Sequence, residues 1–246
     1  MSNHVVQGLW IGPELSVMER LSAASFMAHG HEYHLYVYDD VRGVPAGVRV
    51  RDADEILPAS MIFQYSHSKS YAGFANHFRY QLLFDRGGWW ADTDVICVKP
   101  FSFDDEHVIS TEEHKGAPFA NNGVMKAPAG SPLMDYLCGV CRAKDPEQLV
   151  WGETGPKLLD EALRQFGLEH YLKPPRVFCP LGYLEWEKAL DADAPPALDE
   201  ETHAVHLWNE MWRRAERDKN ARHAHGCLYE RLKRKYLGSV DEAVVP

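Results

Sequence analysis

The 246 residues predict a single α/β domain. Three observations lead there. Near the N-terminus a strand pattern, a helix pattern and a second strand pattern follow one another within about 35 residues, which is a βαβ unit. Further on, an amphipathic helix runs through a glycine pair into another strand. Finally, 45% of the residues are hydrophobic and 25% charged, enough for one large core in a chain short for two domains. No internal repeat or low-complexity tract marks a boundary, so one domain spanning residues 1–246 is expected.

Val5 to Ile11 reads as a short buried strand ending at Gly12-Pro13. Ser16 to His29 is helical in composition and is stopped by Gly30, and His34 to Tyr38 is a second strand ended by Asp39-Asp40. The ligand crevice of such a unit lies beyond the C-terminal ends of its strands, which puts Gly12 and Tyr38 at its edge. Val48 to Arg51 alternates apolar and charged residues as a weaker third strand. Ser70 to Phe84 is a helix with Tyr71, Phe74, Phe78 and Leu82 on one face. Arg79 stands beside that stripe, one turn after Asn76, and Gly87-Gly88 ends the helix.

His107 to Ser110 and Asn122 to Met125 are further short strands. Ser131 is placed to cap a helix running to about Arg142, with Pro132 at its first position. Thr154-Gly155-Pro156 opens another, with Leu159, Leu163 and Phe166 inward and Gly167 as its stop. Tyr171 to Pro196 reads as loop, and His203 to Trp208 alternates as a strand. Asn209 is placed to cap a helix carrying Met211, Trp212 and Ala215, and Gly226 divides it from a final basic helix with Leu228, Leu232 and Tyr236 inward.

Chemistry concentrates in Trp89-Trp90-Ala91-Asp92-Thr93-Asp94-Val95. If Ala91 to Val95 is extended, Asp92 and Asp94 point the same way. Two carboxylates on one side repel unless a cation lies between them. Mg²⁺ and Mn²⁺ take oxygen ligands and are commonly shared between carboxylates and a substrate's phosphates. Arg79, at the edge of an apolar stripe, needs an anion: either a structural carboxylate such as Asp92, or a sugar or diphosphate. His206 and Trp208 share one face of their strand; a neutral imidazole there is either structural or a third metal ligand, and His203 points the other way. Asn121-Asn122 is either a turn or an amide site for sugar hydroxyls. Trp10 is either core packing or a platform for a nucleobase.

Several classes are excluded or disfavoured. The net charge of −10 argues against a nucleic-acid binder. The charge is uneven, with nine Lys/Arg against three Asp/Glu from Arg213 to Lys235. That basic helical tail, from about residue 213, reads as a solvated face or as peripheral contact with an anionic membrane. No apolar run is long enough to span a bilayer, and the N-terminus lacks a secretory pattern. Five scattered cysteines fit a reducing cytoplasm, and Cys138 and Cys141 lack the second ligand pair that zinc would need. A calcium loop starting at Asp92 fails because Ile96 and Cys97 stand where an oxygen ligand and a glycine belong. The acid pair lies too deep in the chain, after Gly87-Gly88, for a phosphatase nucleophile motif. Neither a Walker loop nor G-x-S-x-G occurs.

The motifs then carry a resemblance. Phe78-Arg79-Tyr80, Leu82-Leu83 and Gly87-Gly88-Trp89-Trp90-Ala91-Asp92-Thr93-Asp94 resemble the glycosyltransferases with a D-x-D sugar-binding region, a family 32-like group. It includes α-1,4-galactosyltransferase-like enzymes, yeast outer-chain mannosyltransferases, bacterial capsule and lipopolysaccharide transferases and, more distantly, clostridial glucosylating toxins. Leu9-Trp10-Ile11-Gly12, Asn121-Asn122-Gly123, Thr154-Gly155-Pro156 and Ala204-Val205-His206-Leu207-Trp208-Asn209 resemble the group's other motifs in the same order, over roughly residues 5–215.

The resemblance implies a GT-A fold, a Rossmann-like mixed sheet flanked by helices. It implies retaining, metal-dependent transfer from a nucleotide sugar, with UDP ahead of GDP, to a glycan or lipid-linked acceptor. Mn²⁺ or Mg²⁺ is the implied metal, held by Asp92, Asp94 and His206, with Asp94 the firmer ligand. Trp10, Gly12, Asn76, Arg79, Asp92 and Trp208 are the implied donor-binding set: Trp10 for the base, Trp208 for the β-phosphate, Arg79 and Asp92 for the sugars. Arg79, Asp92 and Asn122 are the implied catalytic set. At Asn76 the group commonly has Asp, and an amide carries no charge. A silent nucleotide-sugar or glycan-binding domain is therefore the alternative.

Overall fold

A computed structural model describes residues 4–66 and 68–238. Its first unit is the expected βαβ. β1 (Val5–Trp10) pairs in parallel with β2 (Glu32–Val37) across α1 (Val17–Ala28). Ser16 and Glu19 begin α1 with a reciprocal capping box, in which the Ser16 N–H donates to Glu19 Oε2 at 2.7 Å. β3 (Arg49–Asp52) adds in parallel to β2 and is exposed along its length, as suits an edge strand.

α2 (Ala72–Arg86) buries Phe74, Phe78 and Leu82 as the periodicity requires. Gly87 then caps it at φ 65°, where a Cβ would lie 2.6 Å from the Ala129 nitrogen. β4 (Gly88–Ala91) inserts beside β1, so that Trp89 and Trp90 go to opposite faces. Trp90 packs near Phe78, and Trp89 packs against Phe101 and Phe103. Burying such side chains contributes about 1.5–3 kcal/mol each. β5 (Val95–Cys97) leaves this sheet to pair with β8 (Ala204–His206).

β6 (Val108–His114) and β7 (Ala117–Ala127) form an antiparallel hairpin longer than the short apolar cores visible in sequence. The sheet order is β3-β2-β1-β4-β7-β6. It is a mixed sheet flanked by helices, as expected. α2, α3 (Pro132–Ala143) and α4 (Pro156–Phe166) cover one face, where Leu133, Leu137, Leu159 and Leu163 meet Phe78 and Trp90. Gly167 ends α4 in the left-handed conformation. α1 and the short α5 (Pro175–Phe178) contribute to the core on the other face.

Of two expected caps, one holds in place and one is corrected. Ser131 stands at the cap of α3 with Pro132 beginning the helix, but it makes no side-chain cap bond; its hydroxyl meets His107 Nε2 at 3.0 Å instead. α6 (Asn209–Arg214) starts one residue earlier than an Asn209 cap allows, with Trp208 at the cap in the left-handed region at φ 59°. The segment read as loop, 171–196, holds α5 and a 3-10 turn over Tyr183–Leu190, because Val177, Phe178, Trp186 and Ala189 are needed in the core.

The basic C-terminal segment is built into the fold. α7 (Leu228–Leu237) buries Leu228, Tyr229 and Leu232 in a core shared with Met18 and Leu21 of α1, Trp186 and Trp212. Lys233 is buried as well, its ammonium donating to the Ala221 carbonyl and pairing with Glu230, whereas Arg231, Arg234 and Lys235 are exposed. Residues 239–246, the end of the expected tail, lie outside the described residues. Among the described residues no helix is long and apolar enough to cross a membrane. All five cysteines are free.

Candidate active site

Asp92 and Asp94 flank a turn. β4 ends at Ala91 and β5 begins at Val95, in a different sheet. The Val95 N–H donates to the Asp92 carbonyl at 3.0 Å, and the Asp92 N–H donates to the Gly123 carbonyl at 2.8 Å. The extended-strand expectation is therefore corrected: the two carboxylates converge because the chain folds back between sheets, not because side chains alternate.

The β5–β8 ladder brings in the third group. Val95 pairs with His206, so the imidazole stands beside Asp94, with Nε2 3.2 Å from Asp94 Oδ1. The Leu207 N–H donates to the Asp94 carbonyl at 3.0 Å, and the Asn209 N–H donates to Asp94 Oδ2 at 2.7 Å. Burial works to raise the Asp94 carboxyl, but His206 and these donors outweigh it and hold it below the usual range. Burial works against the charged His206, but Asp94 holds its pKa well above 6.5. For Asp92 burial outweighs the pull of Arg79, and its pKa is raised.

Ligand atoms of Asp92, Asp94 and His206 all lie within 4.8 Å of one another. Two carboxylates and one imidazole suit a divalent cation, and the imidazole favours Mn²⁺ over the strictly oxygen-seeking Mg²⁺. His206 has no freedom to turn away. Its ring stacks on Trp208 at 3.9 Å and 20°, and its Nδ1 faces the Cys179 thiol at 4.0 Å. His203 turns elsewhere, its Nδ1 on the Pro100 carbonyl.

Arg79 answers its sequence alternatives with the structural carboxylate. Nη2 pairs with Asp92 Oδ1 at 3.2 Å, Nε donates to the Ala75 carbonyl at 3.1 Å, and Nη1 donates to the Asn122 carbonyl. Trp90 Nε1 donates to the same Asp92 oxygen at 2.8 Å. Both partners thus hold Oδ1 and orient the carboxylate.

Behind this pair, Asn122 Nδ2 donates to Asn76 Oδ1 at 2.8 Å and to the Tyr80 hydroxyl at 3.3 Å. Asn121-Asn122 is therefore strand, not turn. Asn76 fits only because residue 155 is glycine: a Cβ there would lie 2.9 Å from Asn76 Nδ2.

A crevice of about 1130 Å³ gathers Trp10, Asn76, Arg79, Asp92, Asp94, Asn122, His206 and Trp208 on its walls. Gly12 is not on that wall; it lies against Trp10, where a Cβ would come 3.3 Å from the indole Nε1. Trp10 serves both of its readings, half-buried against the core and lining the crevice. The indole N–H of Trp208 donates to the Leu181 carbonyl at 2.8 Å, so it is not free for the phosphate that the resemblance assigned to Trp208.

Sequence reasoning missed four contributors. Gly123 leaves room for His206, since a Cβ would sit 2.9 Å from its Cε1; the glycine after two asparagines was the available signal. Tyr80 braces Asn122. Lys219, from the basic segment, bonds Glu19 and Asn209 and lies over the Trp10 ring at 5.4 Å. Glu112 of β6 lines the crevice, and nothing in its local pattern marked it.

Known proteins resemble this chain in sequence and in fold. Residues 20–114 match the family model described as glycosyltransferase sugar-binding region containing DXD motif. The chain is 25% identical over 147 residues to the alpha-1,4-N-acetylglucosaminyltransferase of Homo sapiens, covering 54% of this chain and 41% of that protein. It is 24% identical over 180 residues to the lactosylceramide 4-alpha-galactosyltransferase of Pongo pygmaeus, covering 68% of this chain and 78% of that one. The match thus spans less than half of the first relative's length. Among solved structures, the PaToxG glycosyltransferase superposes with a TM-score of 0.52 at 18% identity, over 66% of this chain and 69% of that one, which shows a shared fold. The chain resembles the D-x-D glycosyltransferases, as its motifs indicated.

Proposed function

We propose that this chain transfers a sugar from a nucleotide sugar to a glycan or glycolipid acceptor, with a divalent cation at Asp92, Asp94 and His206. The observation that carries the reading is the convergence of those three side chains, two from the turn after β4 and one from β8, in one large crevice. The donor is a UDP-sugar, the metal Mn²⁺, and the transfer retains the anomeric configuration.

Bound there, the cation would neutralise charge on the departing diphosphate. The chain's own residues do the rest. Arg79 and Trp90 hold Asp92 in one orientation, and Asn209 holds Asp94. Trp10 offers a flat apolar wall to the base. Asn76 and Asn122, tied to each other, present neutral amide groups to the donor sugar, which favours recognition through hydroxyls over recognition through charge.

The test is turnover across a panel of nucleotide sugars with and without Mn²⁺. One or more donors should be consumed only with metal, and Asp94→Asn and His206→Ala should each lower kcat by at least about a hundredfold, as loss of a charge-stabilising group does. Turnover left intact in both variants would refute the metal site. Donor binding without turnover for any acceptor would favour a silent binding domain.

A further inference from the structure

The crevice is larger than one substrate requires. Its volume of about 1130 Å³ exceeds the roughly 300–1,000 Å³ of ordinary ligand sites. Its wall runs from Trp10 at the end of β1, past Asp92 and Asp94 after β4, to Asn121 and Phe119 of β7 and Glu112 and His114 of β6. In the sheet order β1-β4-β7-β6 these strands lie side by side. At roughly 4.8 Å per strand, β6 stands about 14 Å from β1. A nucleotide on Trp10 with its diphosphate at the acid pair occupies the β1–β4 half, and the β7–β6 half remains.

That half presents three side chains on one face. Glu112 pairs directly with Phe119 across the ladder, and His114 is two residues further along the same strand, so all three point the same way. The Phe119 and His114 rings lie 5.4 Å apart. Glu112 is only 8% exposed, and its Oε2 is buried with no hydrogen-bond partner among the described residues. An acceptor oxygen left in that state is costly unless a ligand brings it a donor.

From this juxtaposition we propose that the β6–β7 face is the acceptor subsite and takes a neutral, hydroxylated pyranose. The sugar's apolar C–H face lies on Phe119 and His114, and one of its hydroxyls donates to Glu112. A carboxylate accepts hydrogen bonds and repels anions, so the subsite rejects a hexuronic acid at this position. The assignment rests on reading the crevice as that of a sugar transferase.

Saturation-transfer NMR tests it, with methyl hexopyranosides and a matching methyl hexuronide as probes, in the presence and absence of UDP and Mn²⁺. The wild type should bind a neutral glycoside and discriminate against the hexuronide. Phe119→Ala should weaken the neutral glycoside about tenfold, while calorimetric affinity for UDP and Mn²⁺ stays within about twofold, as expected of a contact confined to one subsite. Glu112→Gln should weaken the neutral glycoside and also improve the hexuronide, a change of charge preference that mere loss of packing would not produce. Neutral-glycoside binding unchanged in both variants, or equal binding of the hexuronide by the wild type, overturns the subsite. Failure of UDP and Mn²⁺ to bind while the glycoside behaves as described would overturn the donor reading and support the subsite as a sugar site.

Discussion

Asp92 and Asp94 stand two residues apart but are held by different neighbours. Asp92 answers to Arg79 and Trp90, and Asp94 to His206 and Asn209. The residue types were legible in the sequence; the partners were not, because Asn209 lies 115 residues from Asp94. Gly123 illustrates the gap. Its role is to be absent from the space that His206 fills. Gly123→Ala should displace the imidazole, cost about 1–3 kcal/mol by overpacking, and weaken Mn²⁺ roughly tenfold or more; calorimetry and thermal melting would measure the two effects. His77 makes a pH prediction. It is buried, its Nε2 has no partner among the described residues, and burial, helped by Arg142, pushes its pKa down to about 4. The unfolded chain binds the proton from about pH 6.5 downward, so folding loses stability as pH falls through 6.5 and the loss levels off below about 4. His77→Phe should remove up to about 3 kcal/mol of that acid sensitivity, read from denaturant midpoints between pH 7 and 4.

At the scale of elements, helices were the most legible. α2 and α4 announce themselves by apolar spacing, α1 by helical composition, and all three by glycine stops at or just beyond their ends. Strands β6 and β7 were read short because Thr111 to His114 is polar and Ala117 to Asn121 is interrupted by Pro118, and both are kept in register by ladder hydrogen bonds that no local pattern records. The last helix shows the same limit. Its charge suggested a tail, yet Leu228 and Leu232 tie it to α1 and Trp212. Leu232→Ala should therefore destabilise the whole domain by about 2–4 kcal/mol, seen as a lower melting temperature. A free tail would leave that temperature unchanged.

Across the whole molecule, the sheet order spaces a row of sites along one edge. Trp10 ends β1, the acid pair follows β4, and the Glu112 face ends the row on β6. β5 and β8, outside that sheet, close the acid pair with His206. Because two segments more than a hundred residues apart meet at the proposed cation site, metal should stabilise the global fold. At a hundred times its dissociation constant, Mn²⁺ should add about 2.7 kcal/mol. The melting temperature should rise accordingly in the wild type, fall back with EDTA, and show no shift in Asp94→Asn. The sequence by itself determined the α/β class, most elements, the acid pair, Arg79 and His206, because periodicity, glycine stops and residue chemistry are local properties of a chain. Only the tertiary structure decided that the acids meet across a turn between two sheets, that Arg79 serves Asp92, that the basic helix is core, and that Glu112 faces the crevice. Those facts depend on which distant segments become neighbours, and strand order is set by packing the entire chain at once.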